Sequence, residues 1–298
     1  MEPVNVCELK PEEFKKFLNS FDHVFSDCDG VIWNAAPLPG SGKFFELMKK
    51  LGKTVHYVSN NSLRTKENYE AKFQAAGIDD GFEKLTIPST AIAEYLKSQN
   101  IKNKIYCVSC VETIRVLQSH GFQCESGPEE IPDFYADFVQ FLEDDENIGA
   151  VVFDSDFKIN LPKLYKASTY LKRPEVHFIN GASDRLVPLT KGVSLGVGVF
   201  SDIVSDFVKR EPIALGKPGK MFGEFAMKRA GITDPSRVLF IGDMIEQDIG
   251  LGKAVGFKTL LVHTTHTTED MLAHPNIKPD YYAPDLGSIV PVLTQLVS

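Results

Sequence analysis

The sequence lacks the features that define several large classes of protein. Its 298 residues contain no apolar run near the roughly 18 residues that a membrane-spanning helix needs. Basic residues are too few for a polyanion-binding surface: Lys and Arg total 32, Asp and Glu total 40, and the net charge of −8 is spread along the chain. We therefore expect no nucleic-acid or membrane partner. The first residues also lack the basic and apolar regions of a secretory signal, so we expect a cytoplasmic location.

Cysteine is scarce, and its number is odd. Five cysteines in a chain of this length predict a reducing compartment rather than a disulfide scaffold. Cys107 and Cys110 flank two residues at a predicted strand-to-helix junction, where a redox dithiol can lie. Two buried thiols at a strand end are the simpler interpretation. A zinc site would need two more ligands, and the sequence has no second pair of this kind.

The length and the hydrophobic pattern predict an α/β protein. A domain usually has about 100–200 residues, so the chain should form two domains or one large domain with an insertion. Short β-rich runs alternate with helical periods that end at glycine, which predicts doubly wound parallel sheets with sites at the carboxyl ends of strands. Predicted strands cover 53–59, 104–109, 149–154, 175–179, 237–241 and 257–263, and predicted helices cover 65–76, 111–120 and 220–230.

Four polar motifs stand where strands should end. Each motif alone is typical of an ordinary turn or helix cap. Their joint occurrence in this order indicates one site at the carboxyl edge of a sheet. The motifs are Asp27-Cys28-Asp29-Gly30, Ser59-Asn60-Asn61, Gly216-Lys217-Pro218, and the segment 242–248, which carries Asp243 and Asp248.

These motifs resemble those of the haloacid dehalogenase superfamily of phosphatases, within it the p-nitrophenylphosphatase, phosphoglycolate phosphatase and chronophin group. Residues 25–33 and 178–184 also resemble segments of that group, although Gly181 and Ala182 replace its usual Thr-Asn and the loop 156–160 departs from its common pattern. The resemblance implies a Rossmann-like, doubly wound parallel-sheet core. It further implies a large inserted α/β cap domain and a homodimer formed through that cap. The expected bounds are 1–84 and 189–298 for the core and 85–188 for the cap.

The resemblance also implies a role for each site residue. Asp27 would be the nucleophile and Asp29 the general acid and base, while Lys217 would neutralise charge. Mg²⁺ would bind the Asp27 carboxylate, the Asp29 carbonyl and the Asp243 carboxylate, with Asp248 orienting a metal-bound water. The expected substrate-binding residues are Ser59, Asn60, Asn61 and, in the cap, Asp184. Further candidates for contact with the substrate are Lys158, Arg185 and Trp33.

The function implied is that of a Mg²⁺-dependent phosphatase. It would hydrolyse small phosphorylated metabolites, and p-nitrophenyl phosphate, through an aspartyl-phosphate on Asp27. Two alternatives stay open. A phosphotransferase or mutase could use the same scaffold, although the large insertion after the second motif speaks against it. A serine α/β-hydrolase could use Ser194 in Gly192-Val193-Ser194-Leu195-Gly196, with Asp243 and His263, although Pro188 makes the preceding strand a poor central one.

Overall fold

Two separate β-sheets divide the chain into two units. The computed structural model describes residues 2–131, 133–139, 142–189 and 192–297. The first unit comprises Met1–Ser59, Thr65–Thr86 and Lys217–Ser298, and the second comprises Asn60–Arg64 and Ile87–Gly216.

The helices and strands alternate along most of the chain. Up to residue 139 they are β1 Val4–Asn5, α1 Pro11–Asn19, β2 His23–Ser26, α2 Ser41–Lys50, β3 Thr54–Val58, α3 Lys66–Ala75, β4 Leu85–Thr86, α4 Pro88–Ser98, β5 Lys104–Val108, α5 Val111–Ser119, β6 Cys124–Glu125 and α6 Tyr135–Val139. Beyond residue 142 they are β7 Ile148–Phe153, α7 Leu161–Leu171, β8 His177–Asn180, β9 Leu186–Leu189, β10 Gly192–Leu195, α8 Val197–Val208, β11 Ile213–Ala214, α9 Lys220–Ala230, β12 Val238–Gly242, α10 Gly250–Val255, β13 Lys258–Val262, α11 Thr268–Ala273, β14 Tyr281–Ala283 and α12 Val290–Val297.

The first unit is built on a seven-stranded parallel sheet. Its strand order is β1-β14-β13-β12-β2-β3-β4, so β2 lies between β12 and β3. Phe25 of β2 pairs with Phe240 of β12 on one side and with His56 of β3 on the other. Both phenylalanines are fully buried. The chain order reverses between β12 and β2, and in doubly wound sheets such a switch point opens a crevice at the carboxyl ends of the strands.

The second unit has its own parallel sheet of five strands, in the order β11-β8-β7-β5-β6. Central β7 reads Ile-Gly-Ala-Val-Val-Phe, the continuous apolar run typical of a strand that is buried on both faces. Phe153 of β7 packs against Phe178 of β8, with ring centroids 5.8 Å apart. Side chains of α7 and α8 complete this core, among them Tyr170 and Val204.

The predicted fold class is confirmed. All six predicted strands and all three predicted helices are present, with ends that differ by at most two residues. The glycines that follow the three helices take the left-handed conformation expected of a C-cap, with φ of +74° at Gly77, +93° at Gly121 and +69° at Gly231.

The bounds of the second unit differ from the predicted cap of 85–188. Residues 85 and 86 form β4, which pairs with β3 in the first sheet. At the other end, Ile213 and Ala214 of β11 pair with β8, so the chain leaves the second sheet only after them. A two-residue strand carries no periodic pattern, which is why the sequence did not show this boundary.

The Ser194 alternative does not fit the local structure. Ser194 lies inside β10, which pairs with β9 in a two-stranded antiparallel hairpin, with Ser194 opposite Val187. A nucleophile elbow needs a sharp turn between a parallel strand and a helix, and Ser194 does not stand at such a turn.

A redox dithiol formed by Cys107 and Cys110 also lacks support. The two residues have different sulfur contacts: Cys107 is fully buried beside Cys124, whereas the Cys110 thiol donates to the Ser62 carbonyl at 3.4 Å.

None of the helices in the described residues is long and apolar enough to cross a membrane.

A buried ion pair in the second unit offers a test of the fold. Lys163 and Asp156 lie 2.7 Å apart with side chains 3% and 4% exposed. We expect Lys163→Met to lower the free energy of unfolding by about 3–5 kcal/mol, because the Asp156 charge would stay buried and unpaired. Lys158 pairs with Glu129 at 2.8 Å on the surface, where solvent screens the charges, so Lys158→Met should leave the free energy of unfolding nearly unchanged. Urea denaturation measures both; equal effects would contradict the prediction.

Candidate active site

Three neighbouring strands of the first sheet end in buried polar residues. Asp27 follows β2, Asp243 follows β12 and Ser59 follows β3. These three residues are 6%, 4% and 1% exposed, respectively. Because the carboxyl ends of adjacent parallel strands meet at one edge, strands far apart in sequence place these groups together. The Ser59 hydroxyl accepts a hydrogen bond from Tyr69 at 3.3 Å, which fixes it at this edge.

Lys217 joins two of the carboxylates. Its Nζ lies 2.8 Å from Asp27 Oδ1 and 2.7 Å from Asp248 Oδ1, and its side chain is 3% exposed. Burial alone would lower the pKa of Lys217, but the two carboxylates outweigh burial and raise that pKa above its ordinary value. The ammonium group therefore stays charged at neutral pH.

Asp248 holds the loop that carries Asp243. A π-helical turn, Ile245–Ile249, brings Asp248 back toward β12, where its Oδ2 accepts from the amides of Asp243 and Met244 at 3.0 Å each. Such turns are rare and often occur at functional sites. Gly242 makes this return possible, since a Cβ there would lie 2.1 Å from the Cβ of Asp248.

The cluster carries an excess of negative charge. Oxygens of Asp27, Asp243 and Asp248 lie within 4.8 Å of one another, and Lys217 neutralises only one of the three carboxylates. Burial raises the pKa of Asp27 well above its ordinary value, against the opposing effect of Lys217. Burial and the neighbouring Asp248 raise the pKa of Asp243 to about 7. A divalent cation would balance the two remaining charges.

The donor atoms fit such a cation. Asp243 Oδ2 accepts from the hydroxyl of Thr265, but Asp243 Oδ1 is buried with no hydrogen-bond partner among the residues that the structure describes. An orphaned buried carboxylate oxygen is costly unless a ligand satisfies it. Hard cations such as Mg²⁺ take carboxylate oxygens as ligands.

Asp29 is positioned by Trp33, a residue whose role the sequence left open. Trp33 is fully buried and packs against Phe73 with ring centroids 4.9 Å apart, so it does not flank a substrate. Its Nε1 donates to Asp29 Oδ1 at 3.1 Å. Trp33 therefore holds the carboxylate of the expected acid and base.

Two threonines that the sequence analysis missed also support the site. Thr264 donates to the carbonyl of Gly30, and Thr265 donates to Asp243. Both follow β13, the strand next to β12. Polar residues directly after a predicted strand at 257–263 were the signal that could have revealed them.

The remaining expected substrate residues belong to the second unit. Asn61 Oδ1 accepts from the amide of Leu63 at 3.1 Å, and Asp184 is half-buried after β8. With Asn60, their assignment to the substrate stays a prediction. Lys158 and Arg185 are exposed, with side chains 65% and 69% accessible, and each forms a surface ion pair with an acidic residue of the same unit.

Comparison with known proteins assigns the family. Residues 24–123 match a family described as haloacid dehalogenase-like hydrolase, and residues 214–289 match one described as HAD-hydrolase-like. Phosphoglycolate phosphatase 2 of Arabidopsis thaliana is 32% identical over 96% of this chain and 97% of its own. Glycerol-3-phosphate phosphatase of Homo sapiens is 27% identical over 96% of this chain and 95% of its own.

A solved structure agrees with these relatives. The p-nitrophenyl phosphatase from Archaeoglobus fulgidus has a TM-score of 0.77 and 26% identity, covering 91% of this chain and 99% of that one. The chain belongs to the haloacid dehalogenase-like hydrolase family. Within that family it resembles the named phosphatases over nearly its whole length, and it is a phosphoric monoester hydrolase.

Gly30 gives a test of how closely the site is packed. Gly30 and Gly52 both have φ of +78°, but a Cβ at Gly30 would lie 2.1 Å from Asp243 Oδ2, whereas a Cβ at Gly52 would meet nothing within 4 Å. Either change to alanine should cost about 1–2 kcal/mol of stability from backbone strain. Only Gly30→Ala should also displace Asp243 and reduce kcat/KM, by about 100-fold. Thermal unfolding and phosphate release measure the two effects, and equal activity of the variants would refute this account.

Proposed function

We propose that the protein hydrolyses small phosphomonoesters with Mg²⁺, through an aspartyl-phosphate on Asp27. The observation that carries the proposal is the buried cluster in which Lys217 bridges Asp27 and Asp248, beside the orphaned oxygen of Asp243. This arrangement offers a carboxylate nucleophile, a fixed positive charge and a cation site within one crevice.

Asp27 is the group best placed to attack phosphorus. Its Oδ1 accepts from the amide of Cys28 at 2.7 Å and from Lys217 at 2.8 Å, so the carboxylate is held in one orientation. An oxygen of Asp27 forms a bond to phosphorus while the bond from phosphorus to the alcohol oxygen breaks. Covalent catalysis of this kind divides one difficult step into two easier ones. Phosphate-monoester hydrolysis needs such help, because the uncatalysed reaction is among the slowest known.

Asp29 serves both half-reactions as acid and base. In the first, its protonated carboxyl gives a proton to the departing alkoxide. In the second, its carboxylate takes a proton from the water that attacks phosphorus and breaks the bond to Asp27. One residue can do both because each half-reaction returns it to the form that the other needs. The hydrogen bond from Trp33 keeps this carboxyl in place at 3.1 Å.

The metal would be held by the carboxylates of Asp27 and Asp243 and by the carbonyl of Asp29, with Asp248 as an outer partner. Asp248 suits the outer role because Lys217 and two backbone amides already occupy its oxygens. When bound, Mg²⁺ supplies positive charge that lets the anionic nucleophile approach the anionic phosphate.

The phosphoryl oxygens would be bound by Lys217, the hydroxyl of Ser59 and the side chains of Asn60 and Asn61. Asn60 is joined to Ser59 by a peptide bond, which supports placing its side chain near the same group. In the second unit, Asp184 would contact the leaving group. As a cap, this unit would exclude water and select small substrates.

The names of the relatives support the substrate class. They include a phosphoglycolate phosphatase, a glycerol-3-phosphate phosphatase and a p-nitrophenyl phosphatase. These substrates are small phosphomonoesters that differ in the leaving group. We therefore propose a small phosphorylated metabolite as the partner of this chain, with p-nitrophenyl phosphate as a convenient test substrate.

Replacement of the nucleophile tests the covalent step. Asp27→Asn should reduce kcat with p-nitrophenyl phosphate to below about one thousandth of the wild-type value, because an amide cannot form the acyl phosphate. Ser194→Ala is the matched control and should retain full activity. Loss of activity in the serine variant with survival of the asparagine variant would instead identify a serine hydrolase.

Metal removal tests the cation site. Chelation with EDTA should abolish phosphate release, and added Mg²⁺ should restore it. Ca²⁺ should fail to restore it and should inhibit in competition, because the larger ion takes about 6–8 oxygen ligands and can engage both oxygens of Asp27. Full activity after chelation, or equal rates with Ca²⁺, would exclude the proposed site.

A further inference from the structure

The segment Asn60–Arg64 is held by residues from distant parts of the chain. It leaves the first unit after Ser59 and returns to it at Thr65, yet its contacts place it in the second unit. The thiol of Cys110 donates to the carbonyl of Ser62 at 3.4 Å. The conformation of this segment is therefore decided by residues outside it.

A buried carboxylate lies behind that contact. Asp154 follows β7 and is fully buried. Its Oδ2 accepts from the hydroxyl of Thr113 at 2.8 Å, and its Oδ1 accepts from the amide of Ser155 at 2.8 Å. The Thr113 oxygen lies 3.5 Å from the sulfur of Cys110. Thr113 therefore bonds Asp154, Cys110 bonds the carbonyl of Ser62, and the 3.5 Å contact between Thr113 and Cys110 joins the two pairs into one polar network.

This network is more costly than the packing of the second unit requires. No Lys or Arg pairs with Asp154 among the described residues, and burial raises the pKa of Asp154. A buried carboxyl group without a cation is destabilising unless its hydrogen bonds are complete. Gly181 leaves space for it, since a Cβ there would lie 3.2 Å from the carboxyl carbon of Asp154. An apolar residue could fill the same volume without that cost, which points to a role for the carboxylate beyond packing.

We infer that Asp154 is a positioning residue for phosphate binding. Through Thr113 and Cys110, its carboxylate fixes Ser62 and so sets the orientation of the two asparagines that precede Ser62. The inference rests on the proposed phosphate-binding role of Asn60 and Asn61. Asp154 itself touches neither substrate nor metal in this account. The second unit would then influence phosphate affinity by ordering a segment that begins directly after Ser59.

Thr113 is the best position for a test, because its hydroxyl can be removed without changing its shape. In the full-length enzyme, Thr113→Val should raise the Ki for inorganic phosphate and the KM for p-nitrophenyl phosphate about tenfold, the factor that corresponds to one lost hydrogen bond. The kcat should stay within about twofold, since Asp27, Asp29 and Lys217 are untouched. Thr113→Ser, which keeps the hydroxyl, should restore both constants.

A matched control separates positioning from general destabilisation. Ser168 is buried in α7 of the same unit and donates to the carbonyl of Tyr165 at 2.8 Å, outside the network. Ser168→Ala should lower the melting temperature without changing Ki. If Thr113→Val does not fold, Cys110→Ala removes the bond to Ser62 and should raise Ki in the same way, with Cys110→Ser as the variant that restores it.

Asn61→Ala separates the role of the asparagines from the role of Asp154. If that variant raises Ki and Thr113→Val does not, the proposed role of the asparagines stands and the positioning inference is overturned. If Asn61→Ala and Asn60→Ala both leave Ki unchanged, the role of the asparagines fails and the inference fails with it. If Thr113→Ser is as impaired as Thr113→Val, the effect is one of packing, and Asp154 does not act through the hydroxyl.

Discussion

The ammonium group of Lys217 between two buried carboxylates is the interaction on which the site depends. Without that charge, Asp27, Asp243 and Asp248 would gather three negative charges in a crevice that excludes water, and burial would favour their neutral forms. Lys217 lies 2.8 Å from Asp27 and 2.7 Å from Asp248. Its charge opposes the rise in the pKa of Asp27 that burial causes, and it ties Asp27 to the loop that carries Asp248. The charge that remains fits one divalent cation.

The backbone geometry allows the charged side chains of the site to lie close together. Parallel pairing of β12, β2 and β3 aligns three strand ends at a switch point, where the loops on either side lead away from each other. Two glycines then allow a closer approach than any side chain would, Gly30 against Asp243 and Gly242 against Asp248. The π-helical turn after Asp243 completes the arrangement by returning Asp248 to the amides of its own loop. The carboxylates of Asp27, Asp243 and Asp248 are therefore positioned mainly by the backbone at the strand ends.

The two units share this task unevenly. The residues proposed as nucleophile, acid and base, fixed charge and metal ligands all lie in the first unit, which contains segments from the beginning, the middle and the end of the chain. The second unit contains the five residues of Asn60–Arg64, together with the network around Asp154.

The fold class and six of the fourteen strands in the described residues could be predicted from the sequence, and so could the grouping of Asp27, Asp29, Ser59, Lys217 and Asp243 as a candidate site. These predictions were possible because strand periodicity is local, and because acidic or hydroxyl groups after apolar strands mark a sheet edge. Packing in the folded chain shows that Trp33 holds Asp29, that Thr265 holds Asp243, and that the second unit continues to Gly216. The packing of Trp33 against Phe73 and the bond from Thr265 to Asp243 join residues that are distant in sequence, and the boundary of the second unit follows a strand of two residues. Such contacts leave no periodic pattern, because they arise only when separate elements pack together.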